Sequence, residues 1–187
     1  CRVSGVPTFG SISPPFQGGL DGVVAKINSQ GQWVWAKSIA GVGGDASTGI
    51  ALGANNRLYV SGSIGGVASF DGQNPFGANG INQAYVAELD TNGNLLDLTL
   101  FQNLSIGDVF SNQSGDTLIG GTFSGAVHYF GASYQPSGSS DLFVALYQSG
   151  SALNTTPSNL STVAPLTIAE NQPIGTLVGE FKATDPD

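Results

Sequence analysis

Apolar and polar positions alternate in short runs along most of this chain, and one run recurs. Asp21 to Ile27 reads DGVVAKI, Gln83 to Leu89 reads QAYVAEL, and Asp141 to Tyr147 reads DLFVALY. Val24, Val86 and Val144 fall in register, 62 and then 58 residues apart, and Ala25, Ala87 and Ala145 follow them. A period of two predicts a strand at each place. A second pattern repeats independently. Leu58 to Phe70, LYVSGSIGGVASF, returns 59 residues later as Thr117 to Tyr129, TLIGGTFSGAVHY. Val60 matches Ile119, Gly62 matches Gly121, Ile64 matches Phe123, and Phe70 matches Tyr129. Val3-Ser4-Gly5 supplies a third copy at the N-terminal end. Two patterns with nearly one period indicate a repeat architecture with a unit of about 60 residues.

The turns between the runs complete the unit. Asn28 to Gly31 and Asp90 to Gly93 close hairpins, the second with Asn-Gly, a strong hairpin signal. The strand after the first turn, Gln32 to Ile39, places Trp33, Trp35, Lys37 and Ile39 on one face if alternation is strict. Gly41 to Gly49 reads as a loop. Gly49–Leu52 and Arg57–Ile64 then form a hairpin around Asn55-Asn56, and Val109-Phe110 pairs with Thr117–Phe123 around Ser114-Gly115. Each unit therefore holds about four short antiparallel strands, with the longest connection between the two middle ones. One such sheet has two faces to bury, and stacking sheet on sheet buries both. Alanines suit a crowded inner strand, and Gly62, Gly120 and Gly121 suit close backbone approach or a bulge.

On these residues the chain resembles the bacterial β-propeller repeats called SBBP repeats. The motif is Asp-x-Val-Ala-(Lys/Glu)-(Ile/Leu), a turn with Gly, then Trp-Ala, then Leu-Tyr-Val-x-Gly. Gln83 departs from it where Asp is usual, and so does Leu98, which has no tryptophan beside it. The resemblance covers residues 1–148. It implies an all-β fold: a partial β-propeller of about two and a half four-stranded blades. Propellers close with about four to eight blades, so further blades of the same parent chain are expected. Terminal repeats without neighbours expose an apolar face, which implies marginal stability in isolation.

Residues 149–165 are rich in Ser, Asn, Thr and Pro with no charge, and read as a linker. The last stretch, 166–187, reads LTIAENQPIGTLVGEFKATDPD. Glu170-Asn171, Pro173, Gly175-Thr176, Val178 and Ala183 to Asp187 resemble the opening of a bacterial cadherin-like repeat. That implies the first strands of a truncated cadherin-like β-sandwich. It also implies Glu170, Asp185 and Asp187 as Ca²⁺ ligands in the intact parent, which would carry further repeats of this type. Ca²⁺ takes six to eight hard oxygens, so these three carboxylates are too few without the acidic motifs of a complete repeat.

Composition narrows the function. With 13 acidic and 5 basic residues the net charge is −8, which disfavours nucleic acid as a partner. No apolar run reaches the roughly 18 residues of a membrane-spanning helix, so membrane insertion by this segment is not expected. The single cysteine, Cys1, excludes an intramolecular disulfide, and the absence of methionine leads us to expect a piece of a longer chain. Catalytic chemistry finds little support. His128 is the only histidine, and Ser69 stands at its place in the preceding unit. Gly41 to Gly49 lacks the lysine of a phosphate loop, and Gly121 to Gly125 is not a nucleophile elbow. Asp21, Asp45, Asp108 and Asp141 read as turn and strand-end acids, and Trp33 and Trp35 as packing residues or a sugar platform.

The expectation is a non-catalytic piece of a large secreted or cell-surface protein. Its propeller platform and Ca²⁺-dependent stalk would act in adhesion or in binding a protein or polysaccharide surface ligand. The alternative is an accessory propeller module of an exported glycosidase or peptidase whose catalytic domain lies elsewhere. A purely structural role in a surface layer is a third expectation.

Overall fold

A computed structural model of the chain describes residues 1–112, 114–129, 132–147, 158–162 and 181–184. The chain divides into two compact units, Cys1–Gln148 and Ser149–Asp187. The described residues are all-β apart from one 3₁₀ turn at Ala54–Asn56, and every pairing between strands is antiparallel.

The first sheet opens with β1 (Arg2–Val3), β2 (Asp21–Ile27) and β3 (Trp33–Gly41). The turn between β2 and β3 is built by Asn28, whose Oδ1 accepts from the Gln30 and Gln32 N–H groups. Strict alternation fails in β3. Ile27 faces Trp33 and Lys26 faces Trp35, so Val34 is an extra residue and the strand bulges there. Trp35 is buried in the core, whereas Trp33 is 42% exposed and stands edge-to-face with Phe9, ring centroids 5.0 Å apart. The two tryptophans therefore do not share one environment, as unbroken alternation would require.

The second sheet begins with β4 (Ala46–Leu52) and β5 (Leu58–Gly65). The stretch read as a loop from Gly41 to Gly49 is shorter than expected, because β3 runs to Gly41 and β4 starts at Ala46. Gly49 is not a turn glycine. A Cβ there would lie 2.6 Å from Asp108 Oδ1 and 2.8 Å from the Val109 nitrogen. The connection after β5 is itself a hairpin, β6 (Ala68–Phe70) and β7 (Gln73–Phe76), turned by Asp71-Gly72 with both residues at positive φ. This hairpin pairs onto β3, Ile39 to Phe70 and Gly41 to Ala68, and gives the first sheet the order β1-β2-β3-β6-β7. The chain then returns through β8 (Asn82–Leu89) and β9 (Leu95–Phe101), completing a four-stranded sheet β4-β5-β8-β9. Asp90 plays the part of Asn28 in the β8–β9 turn, accepting from the Asn92 and Asn94 N–H groups.

The third sheet has β10 (Leu104–Ser111), β11 (Thr117–Phe123) and β14 (Asp141–Tyr147), with a separate hairpin of β12 (Val127–Tyr129) and β13 (Ala132–Tyr134) in the long connection. It repeats the second sheet in detail. Ser47 pairs with Gly62 beside an extra residue, Thr48; Ile106 pairs with Gly121 beside Gly107. A Cβ on Gly62 would strike the Ala46 carbonyl, and one on Gly121 the Ser105 carbonyl. Glycine is needed at both bulges, while Gly120 has only ordinary space around it.

The core of the first unit lies between sheets. Val24, Trp35 and Ile39 of the first sheet pack with Val60, Ile64, Tyr85, Ala87 and Leu89 of the second. The opposite side of the second sheet, Tyr59, Ala84 and Val86, packs with Ile106, Val109, Ile119 and Tyr147 of the third. β8 is thus apolar on both sides, and from Gln83 to Leu89 it is buried throughout. In the second unit, β15 (Ser158–Thr162) pairs with β16 (Phe181–Thr184). β15 falls within the stretch whose composition reads as a linker, and β16 within the cadherin-like stretch.

Candidate functional site

The junction between the first and second sheets concentrates the unusual chemistry of the first unit. Polar groups tie the two sheets at one end. Trp35 Nε1 donates to the Thr91 carbonyl at 3.1 Å, and Lys26 Nζ donates to the same oxygen at 2.9 Å. Gly93, at φ +78°, lies under the Trp35 ring, so a Cβ there would sit 2.9 Å from the indole. This turn is therefore shaped by the neighbouring sheet as well as by its own hydrogen bonds.

At the other end two fully buried carboxylates flank Gly41. Asp21 opens β2, and its Oδ2 accepts from the Gln17 N–H at 2.6 Å. Asp45 precedes β4, and its Oδ1 accepts from the Gly65 N–H at 2.9 Å. The remaining oxygens, Asp21 Oδ1 and Asp45 Oδ2, make no further well-formed hydrogen bond, and the Gly41 backbone amide is the group that acts on both carboxylates. Burial pushes both carboxyls above the usual range, and the Asp21 charge pushes Asp45 further. The Gln17 N–H for Asp21, the Gly65 N–H for Asp45, and Gly41 for both act in the opposite direction. Nearby, the Tyr85 hydroxyl shares a 2.9 Å hydrogen bond with Ser47 Oγ and donates to the Ala46 carbonyl at 3.2 Å. Burial raises its pKa strongly, so it stays neutral.

The next junction supplies an internal comparison. By strand register Gln83 stands where Asp21 does, and Leu104 stands where Asp45 does. Both acids are absent from the second junction together. Asp141, in the third sheet, keeps the capping geometry of Asp21 and accepts from the Ser137 N–H at 2.8 Å.

The sequence-predicted metal ligands Glu170, Asp185 and Asp187 lie outside the described residues. Among the described residues no group of three or more His, Cys, Asp or Glu side chains comes together. His128 is exposed on β12. Trp35 belongs to the core, which leaves Trp33, edged by Phe9, as the exposed indole. No helix among the described residues is long and apolar enough to cross a membrane. A search of protein-family models finds no match to this chain, and a search of curated proteins finds none.

Proposed function

We propose that this chain acts by presenting surface rather than by catalysis, as part of a secreted or cell-surface protein that binds a protein or polysaccharide ligand. The observation that carries the reading is the repeated stack: three sheets built on one plan, with the middle one buried on both faces. Such a stack is rigid along its axis and leaves loops and sheet ends free to make contacts. In this reading the stack is part of a β-propeller. The stretch 166–187 begins a cadherin-like stalk in which Glu170, Asp185 and Asp187 contribute three of the six to eight oxygens that Ca²⁺ takes. Trp33 is the contact residue we assign to a polysaccharide, because an exposed indole offers a flat apolar face for a sugar ring.

The test is a fluorescence titration of the chain with soluble polysaccharides of differing sugar composition. We expect saturable binding to at least one, weakened at least about tenfold in Trp33→Ala, the scale of an interface anchor. Equal binding by Trp33→Ala would remove Trp33 from the contact surface, and no binding to any polysaccharide would remove the polysaccharide half of the proposal.

A further inference from the structure

Among the described residues β14 is an edge strand where its counterparts are not. β2 pairs with β1 and β3, and β8 with β5 and β9, whereas β14 pairs with β11 alone. On its second edge β8 receives β9 antiparallel, from Ala84 opposite Phe101 to Leu89 opposite Leu95. β2 receives β3 in the same way, from Gly22 opposite Ile39 to Ile27 opposite Trp33. In both earlier sheets the place beside the recurring run is filled by the strand that follows it.

The residues that follow β14 do not spell such a strand. Carried forward by the 58-residue step, β9 (LLDLTLF) falls on residues 153–159, which read LNTTPSN. Thr156, Pro157, Ser158 and Asn159 stand where β9 has Leu98, Thr99, Leu100 and Phe101. Proline has no N–H to give to a ladder, and Ser158 begins β15, which pairs with β16 in the second unit.

The free edge adjoins an apolar groove of about 720 Å³ lined by Phe101, Leu104, Phe123, Val127, Tyr134 and Phe143. Phe143 and Ala145, which also line it, correspond to Tyr85 and Ala87, the residues opposite Leu100 and Leu98 of β9. His128 and Asp141 are the other ionisable side chains at the groove, and Asp141 Oδ2 already accepts from the Ser137 N–H and hydroxyl. Natural edges are blunted by lysine, proline or a bulge. β14 has none of these, and its seven pairs with β11 run without a shift in register.

We propose that the free edge of β14 takes up an extended segment of another polypeptide as an antiparallel fourth strand. The occupant resembles β9 in chemistry: free of proline, with uncharged apolar side chains opposite Phe143 and Ala145. It is a polypeptide because the edge offers a row of backbone donors and acceptors, which a strand satisfies in order while the groove selects alternate side chains. This inference rests on strand pairing and not on the adhesion reading, so a failed polysaccharide titration leaves it standing.

The probe is a fluorescently labelled synthetic peptide of residues 94–102, NLLDLTLFQ, with lysines added at both ends for solubility. Two further versions carry N-methyl groups on alternate residues, one set for each edge of the peptide. Anisotropy titration against the full chain should show saturable binding below about 1 mM. One N-methylated version should bind at least about tenfold more weakly, and the other should bind like the parent. Hydrogen exchange of the complex should show protection gained among the amides of Leu142 to Leu146. No binding up to about 1 mM would overturn the proposal. So would equal binding by both N-methylated versions, which would mean side-chain adsorption only. Amides of β14 already as protected as those of β8 in the chain alone would overturn it too, because the edge would then be occupied.

Discussion

Asp21 and Asp45 carry the sharpest residue-scale consequence. Each spends one oxygen on a backbone N–H, and the other has no well-formed hydrogen bond beyond the single Gly41 amide that acts on both carboxylates. An unsatisfied buried polar atom costs about 1 to 3 kcal/mol, and two like charges around one amide add to it. Burial holds the Asp45 carboxyl above its ordinary 3.8, so between that value and its raised folded pKa it binds more protons in the folded than in the unfolded chain. Stability contributed by this group is therefore present at low pH and is lost as pH rises through its raised folded pKa. Asn at position 45 keeps the acceptor for Gly65 and removes the like charge beside Asp21. We expect Asp45→Asn to raise Tm by about 2 to 4 °C at pH 7, the equivalent of roughly 1 kcal/mol for a chain of this size. No gain is expected near pH 3, where the aspartate is already neutral. Thermal melts across that range check it, and an equal or lower Tm at pH 7 would count against the pair.

Only half of that site was legible in sequence. The acid that begins each strand of the recurring run shows in Asp21 and Asp141, and its loss shows in Gln83. That Asp21 meets Asp45 was not visible, because the two belong to different sheets, and only the stacking brings their carboxylates to one glycine. The joint replacement by Gln83 and Leu104 was the available signal, and reading it requires the strand register. The ligands Glu170, Asp185 and Asp187 came from resemblance alone.

At the scale of elements, alternation and turn chemistry located the long strands. β2 and β14 match the recurring run residue for residue, β8 begins one residue earlier at Asn82, and the Asn28 and Asp90 turns follow from side chains that mimic backbone acceptors. Gly49 and the glycines before it read as a loop, yet Gly49 is glycine because a neighbouring sheet approaches it. The bulge at Val34 likewise broke a pattern that strict alternation assumed. The β6–β7 hairpin had its signal in plain view, since Phe70 pairs with Gln73 across Asp71-Gly72, the dipeptide suited to a two-residue turn.

That hairpin ties the first sheet to the second repeat. Asp71 forms an ion pair with Lys37 at 2.6 Å, and its N–H donates to the Ser38 carbonyl at 2.8 Å. Gly72 holds φ +75° with Pro15 side-chain carbon 3.3 Å from where a Cβ would stand. Gly72→Val should cost about 1 to 2 kcal/mol for the left-handed backbone alone, lowering Tm by roughly 2 to 8 °C. Asp71→Ala should cost less, about 0 to 1 kcal/mol, because the ion pair is partly exposed. Parallel melts of the two variants decide this; a larger loss from Asp71→Ala would place the ion pair, not the turn, in control.

The first unit is a graded stack of sheets. The middle sheet has neighbours on both faces, and the third sheet has one face open. Repeat arrays derive stability from neighbour contacts, so local opening should follow position in the stack. Among the described residues β8 is buried and paired on both edges, while β14 is paired on one edge and carries Leu142 and Val144 into solvent. The measurement that tests the stack most directly is native-state hydrogen exchange resolved by residue. Amides of Ala84 to Leu89 should be the slowest in the first unit, with those of Leu142 to Leu146 exchanging at least about tenfold faster, a difference of about 1.4 kcal/mol in opening free energy. Equal protection in the two strands, or faster exchange in β8, would contradict the stack.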